Sequence, residues 1–111
     1  MRSLIFGTSD DVEDLILELF KQKLDIDFEH DYYLNIPPPP KEDTTIDYGD
    51  SVVSGLFVDL TVELIDAILR WLKEKEKLVN PNLEISIEGN LVNVNVRVME
   101  QLQKVLKRHA K

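Results

Sequence analysis

Three groups of residues in this 111-residue chain are of types that can do chemistry. Gly7-Thr8-Ser9 sits where a short apolar strand, Leu4-Ile5-Phe6, meets a helix start, and the free amides of such a junction can hold a phosphate. The segment lacks the glycine spacing and the lysine of a nucleotide loop, and Asp10 and Asp11 follow it and repel an anion. Helix capping is therefore its expected role. Glu42, Asp43, Asp47 and Asp50 offer a hard cation several oxygens from one loop, but their spacing does not follow the calcium-loop pattern. Ser51 or Ser54 as a nucleophile would need a base. The two histidines are His30, inside a segment with strand alternation, and His109, close to the last residue, and neither is marked as a partner. Carboxylate pairs are plentiful, yet nothing marks one as buried, and an unburied pair has no reason to titrate near neutrality. No catalytic residue, no metal and no cofactor is expected.

The composition narrows the classes further. A chain of this length is expected to form one domain over residues 1–111, with one core. It has no cysteine, which excludes a disulfide framework, a thiolate zinc site and a cysteine nucleophile and fits a reducing compartment. Residues 1–7 hold too short an apolar stretch for a signal peptide, and no segment reaches the roughly 20 apolar residues that cross a bilayer. A cytoplasmic protein without membrane contact is the expectation. The net charge of −8 is unevenly spread: residues 1–69 carry 16 acids and 4 bases, residues 70–111 carry 5 acids and 9 bases. Most of such a surface repels a phosphate backbone, so direct nucleic-acid binding is not expected. The asymmetry fits a solvated acidic face and a solvated basic face, or, as the sharper reading, head-to-tail homo-oligomers or docking on a charged partner.

The elements that would position these residues follow from periodicity. After the strand at Leu4-Ile5-Phe6, Val12, Leu15, Ile16, Leu19, Phe20 and Leu24 recur at helical spacing, leaving Glu13, Asp14, Glu18 and Lys21 wet. From Ile26 to Ile36 the period becomes twofold and predicts a half-buried strand, with His30 on its apolar side. Four prolines, Pro37 to Pro40, end it and open an exposed, acidic loop over 37–50. A long helix is then expected from Asp50 or Ser51 to Leu72. Its apolar arc is widened by Val58, Val62 and Trp71, which leaves two readings: part of it meets another subunit or domain, or all of it packs on the sheet and the flanking helices. A hairpin turning at Gly89-Asn90 would pair Ile87 with Val92, Ile85 with Val94 and Leu83 with Val96. Its solvated face would then hold Glu84, Ser86, Asn93, Asn95 and Arg97. A short helix with Leu102, Val105 and Leu106 inward completes the chain. The expected fold is an α+β two-layer sandwich, a four-stranded sheet with helices mainly on one face, in the order β-α-β-α-β-β-α.

The order of these elements, with Gly49-Asp50-Ser51-Val52-Val53-Ser54-Gly55 opening a helix that closes in Leu69-Arg70-Trp71-Leu72, then Ile85-Ser86-Ile87-Glu88-Gly89-Asn90 and Val92-Asn93-Val94, resembles the effector-associated constant component domains of prokaryotic conflict systems. The resemblance implies a noncatalytic adaptor that joins an effector, such as a protease, to a sensor component in anti-phage defence. It carries over no catalytic residue. The residues by themselves do not say what the protein does; the first reading is a protein-interaction module, with Trp71, Val58, Val62, Asn93, Asn95 and Tyr48 as candidate contact residues, although tryptophan is more commonly a core residue than an interface anchor. Two alternatives stand beside it. One is a small-ligand or ion-binding domain with Tyr32, Tyr33 and Tyr48 lining a site. The other is an acidic decoy that occupies a basic nucleic-acid-binding surface and would be sensitive to salt.

Overall fold

The computed structural model describes residues 2–37, 46–75 and 81–109. Pro38 to Pro40, Glu42 and Asp43 of the expected acidic loop lie outside the described residues, as does the side chain of His109. The fold is α+β, with one antiparallel sheet of five strands ordered β2-β3-β1-β4-β5. In chain order the elements are β1 (Arg2–Thr8), α1 (Ser9–Lys21), α2 (Phe28–Asp31), β2 (Tyr32–Tyr33), β3 (Val53–Asp59), α3 (Val62–Lys75), β4 (Leu83–Ile87), β5 (Asn90–Asn93) and α4 (Val96–His109). The strand count and element order thus differ from the expected four-stranded arrangement.

The largest correction is the long helix, whose first half is β3. Val53, Leu56 and Val58 are buried, and the sheet at this strand is covered on both faces, so the residues read as one apolar run rather than as an alternation. Leu56 and Val58 join the main core, whereas Val53 packs with Phe6 and Tyr48 on the other side. Gly55 belongs to this close-packed strand: a Cβ there would lie 3.0 Å from Ile36 Cδ1 and 3.1 Å from Leu4 Cδ1. The helix begins only after Thr61, whose Oγ1 accepts from the backbone N–H of Leu64 at 3.1 Å. Seven α3 residues are buried, from Leu64 to Leu72.

The strand expected over 26–36 is reduced to Tyr32 and Tyr33. Asp27 caps a single helical turn by accepting from the N–H of His30 at 3.1 Å, a local bond that competes with sheet pairing. His30 is consequently exposed, its Nδ1 2.7 Å from Asp27 Oδ2, instead of on an apolar strand face.

The hairpin forms with its register shifted by two. Glu88 and Gly89 both have positive φ, as the turn between twisted strands requires, and Ile87 pairs with Asn90 and Ile85 with Val92. A two-residue shift preserves the face each side chain occupies, so Ile85, Ile87 and Val92 still pack on the helices. Asn95 ends the strand by capping α4, its Oδ1 accepting from the Val98 N–H at 2.9 Å, which makes Val96 and Val98 helical. Val105 of α4 points outward, at 48% exposure, contrary to its expected inward place.

All four helices lie on the sheet face that carries Ile5, Leu56, Val58, Leu83 and Ile85. The opposite face is partly covered by chain from the expected exposed loop: Ile46 and Tyr48 pack on Phe6 and Val53, with the Phe6 and Tyr48 ring centroids 6.1 Å apart. This covering also explains why Glu84, expected in solvent, is fully buried and accepts a hydrogen bond from the Tyr48 hydroxyl at 2.9 Å. Gly7 lies inside β1 rather than stopping it. A Cβ there would meet the Asn82 carbonyl oxygen at 2.1 Å, so only glycine lets the chain entering β4 cross so closely.

Candidate interaction surface

A groove of about 840 Å³ runs between α1 and α3, lined by Asp14, Leu17, Glu18, Phe20, Lys21, Trp71, Glu74 and Lys75. Its position follows from the helix period. Val12, Leu15 and Leu19 turn α1 toward the core, which places Leu17 on the opposite side, 60% exposed. Phe20 is 56% exposed although the spacing suggested an inward residue, and its ring rests on Phe28 with centroids 4.1 Å apart.

The α3 side of the groove is held by a polar cluster. Trp71 is buried, and its Nε1–H donates to Asp14 Oδ2 at 2.9 Å. The same oxygen lies 2.9 Å from Lys75 Nζ, which sits 5.6 Å from the Trp71 ring centroid and 3.8 Å from Asp11 Oδ1. The hydrogen bond with Lys75 is the main force that holds the Asp14 carboxyl below its usual value, with Trp71 adding to it against partial desolvation. The converse contact with Asp14 raises the Lys75 ammonium. The cluster fixes two helices to each other and leaves apolar side chains standing beside it. Leu17 and Phe20 were legible as candidates only through Leu17, an apolar residue at a position the α1 period reserves for solvent.

The residues expected to make contacts do not share one surface. Val58 is buried in the sheet under the helices, Tyr48 is buried on the other sheet face, and Trp71 is buried between α1 and α3. Val62 is half-buried in the first turn of α3, Asn93 is exposed at the end of β5, and Asn95 caps α4. The tyrosines likewise part: Tyr32 packs with the helix-side core, while Tyr33 meets Phe57 edge-on at 5.9 Å.

Two further depressions lie among the described residues. One, of about 300 Å³, has an apolar floor including Leu24, Phe57 and Leu64, and a rim of Asp25, Asp27, Asp31, Asp59 and Glu63 with Arg2. Arg2 Nη2 donates to Asp31 Oδ1 at 2.5 Å and lies over the Phe57 ring, and the bond to Asp31 raises its pKa above the ordinary value. The hydrogen bond from His30 holds the Asp27 carboxyl low. Among the described residues no group of three or more His, Cys, Asp or Glu is placed to hold a metal ion.

The other depression is at the start of α1, beside Gly7-Thr8-Ser9. There the Thr8 hydroxyl donates to Asp11 Oδ2 at 3.0 Å instead of capping the helix, and the same Asp11 oxygen accepts from the Asn82 N–H at 2.8 Å. The Ser9 N–H is satisfied by the Val52 carbonyl at 2.8 Å. Ser54, the candidate nucleophile, is buried with its Oγ 2.6 Å from Ser9 Oγ. These groups spend their bonding capacity on one another and tie α1 to β3 and to the chain entering β4. No helix among the described residues is long and apolar enough to cross a membrane.

Comparison of the chain with family models, with curated proteins and with solved structures gives no match.

Proposed function

We propose that this chain is a noncatalytic protein-interaction domain whose contact surface is the outer side of α1 together with the α1–α3 groove. The observation that carries this reading is the exposure of Leu17 and Phe20, 60% and 56%, beside a groove whose wall is fixed by the Asp14–Trp71–Lys75 cluster. Large apolar side chains displayed next to one another and rimmed by charge are the anatomy of a contact patch, and a rigid wall reduces the ordering cost of association. An adaptor that joins an effector to a sensor in a prokaryotic defence system is the specific form of this function that the sequence resemblance implies.

The test is co-purification of tagged wild-type protein from its source cells against a Leu17→Ser/Phe20→Ser variant with an unchanged melting curve. A protein retained by the wild type and lost from the variant supports the reading. Equal retention by both, or retention of nothing, contradicts it.

The acid-rimmed depression favours a second reading, a site for a small cationic amphiphile, with apolar contact from Phe57 and Leu64 and charge from Asp25, Asp59 and Glu63. Calorimetric titration with a polyamine distinguishes it: saturable heat abolished by Asp59→Asn would favour this reading over the first.

A further inference from the structure

We propose that the occupant of the α1 face is a second copy of this chain, packed antiparallel along α1 about a two-fold axis. The proposal rests on the interaction reading of that face and names the partner. Asp10, Glu13, Asp14, Leu17, Phe20 and Lys21 fall at the i, i+3, i+4, i+7 spacing of a single helix face, and all but the half-exposed Asp14 are exposed. The face is apolar at its centre, acidic toward its N-terminal end and basic at Lys21.

This distribution selects one orientation. In a parallel pairing Lys21 meets Lys21 and Asp14 meets Asp14, which sets like charges opposite each other. In an antiparallel pairing with the axis between Leu17 and Phe20, Leu17 of each chain lies against Phe20 of the other, and Lys21 of each approaches the acidic half of the other helix at Asp14. Every contact occurs twice, as a two-fold interface requires.

The adjacent groove gives the incoming Phe20 ring a place beside Leu17 and Trp71. One helix face and a groove wall make a patch smaller than the usual stable interface, so the dimer belongs in the micromolar-to-millimolar range. Such a dimer fits an adaptor, since it presents two copies of every other surface to an effector or sensor.

The experiment is sedimentation velocity from low micromolar to near-millimolar protein, followed by cysteine pairing. The chain has no cysteine of its own, so each introduced thiol reports one position. The wild type is expected to dimerise, and Leu17→Ser, with an unchanged melting curve, to weaken the dimer by about tenfold or more through two lost apolar contacts. Lys21→Glu, at an exposed position, is expected to weaken it also and keeps the test open should Leu17→Ser disturb folding. An oxidised mixture of Leu17→Cys and Phe20→Cys chains is expected to yield mainly the mixed 17-to-20 disulfide.

A dimer insensitive to both variants, or disulfides that form mainly between identical positions, overturns the proposal. A monomer at every concentration overturns it too. If that monomer still retains a different protein through Leu17 and Phe20, the interaction reading stands and only the second copy fails. If it retains nothing, both fail.

Discussion

Asp14 allows the structure to be tested one bond at a time, because a single oxygen receives both the Trp71 indole N–H and the Lys75 ammonium. Asp14→Asn keeps an acceptor for the indole and removes the charge that Lys75 faces. Asp14→Ala removes both. The Asp14 and Lys75 side chains are 43% and 32% exposed, so solvent screens the pair and its loss costs about 0–1 kcal/mol. The indole sits on a residue only 3% exposed, and an N–H left there without an acceptor costs about 1–3 kcal/mol, toward the lower end because Asp14 borders water. Asp14→Ala is therefore expected to destabilise by about 1–2 kcal/mol more than Asp14→Asn, or about 4–8 °C in Tm for each kcal/mol in a domain of this size.

Thermal and urea unfolding at neutral pH measure the difference. Raised salt should shrink the cost of Asp14→Asn and leave the extra cost of Asp14→Ala. The pH dependence carries a sign. The Asp14 carboxyl is depressed below 3.8 in the folded chain, so its contribution is present above that value and fades as pH falls through the lower folded value. Wild type should lose stability in that acid range more steeply than Asp14→Asn. Equal costs for the two substitutions, or a larger cost for Asn, would refute the division of roles between Trp71 and Lys75.

Other positions carry simpler expectations. Gly7→Ala places a Cβ 2.1 Å from the Asn82 carbonyl and should destabilise by about 1–3 kcal/mol through displacement of β4, measurable by urea unfolding. Tyr48→Phe removes the hydroxyl that donates to buried Glu84 and should cost about 1–3 kcal/mol, with increased amide exchange in β4 as the structural readout. Thr61→Ala and Asn95→Ala each remove the side-chain acceptor at a helix start and should cost about 1 kcal/mol by thermal unfolding, while Ser51→Ala, at an exposed position outside any helix, should cost little.

The parts of this fold that show in the sequence are those in which one face is buried and the other wet. The α1 period and the 83–93 hairpin have that property, and in the hairpin even a register shift of two left Ile85 and Val92 on the correct face. The β3 segment escapes the same logic. It lies near the centre of the sheet with both faces covered, so its apolar residues satisfy a helical period as readily as a twofold one. Thr61, a capping residue in the middle of the expected long helix, was the local sign that the helix starts there. The 26–36 segment failed for the opposite reason: its alternation is genuine, but the Asp27 cap on His30 forms locally and needs no partner strand.

Of the candidate contact residues, Val58, Tyr48 and Trp71 are buried in the structure. Burial of Glu84 depends on Tyr48, 36 residues away in the chain, and no local pattern encodes it.

Site-specific photo-crosslinking in the source cells tests the contact surface most directly, with a photoreactive phenylalanine derivative at Leu17 or Phe20 and, as control, at the exposed hairpin residue Asn90. The expected result is an adduct of defined mass from positions 17 and 20 and none from position 90, at twice the chain mass if the partner is a second copy. Adducts of the same kind from all three positions, or none from 17 and 20, would contradict a contact surface on α1.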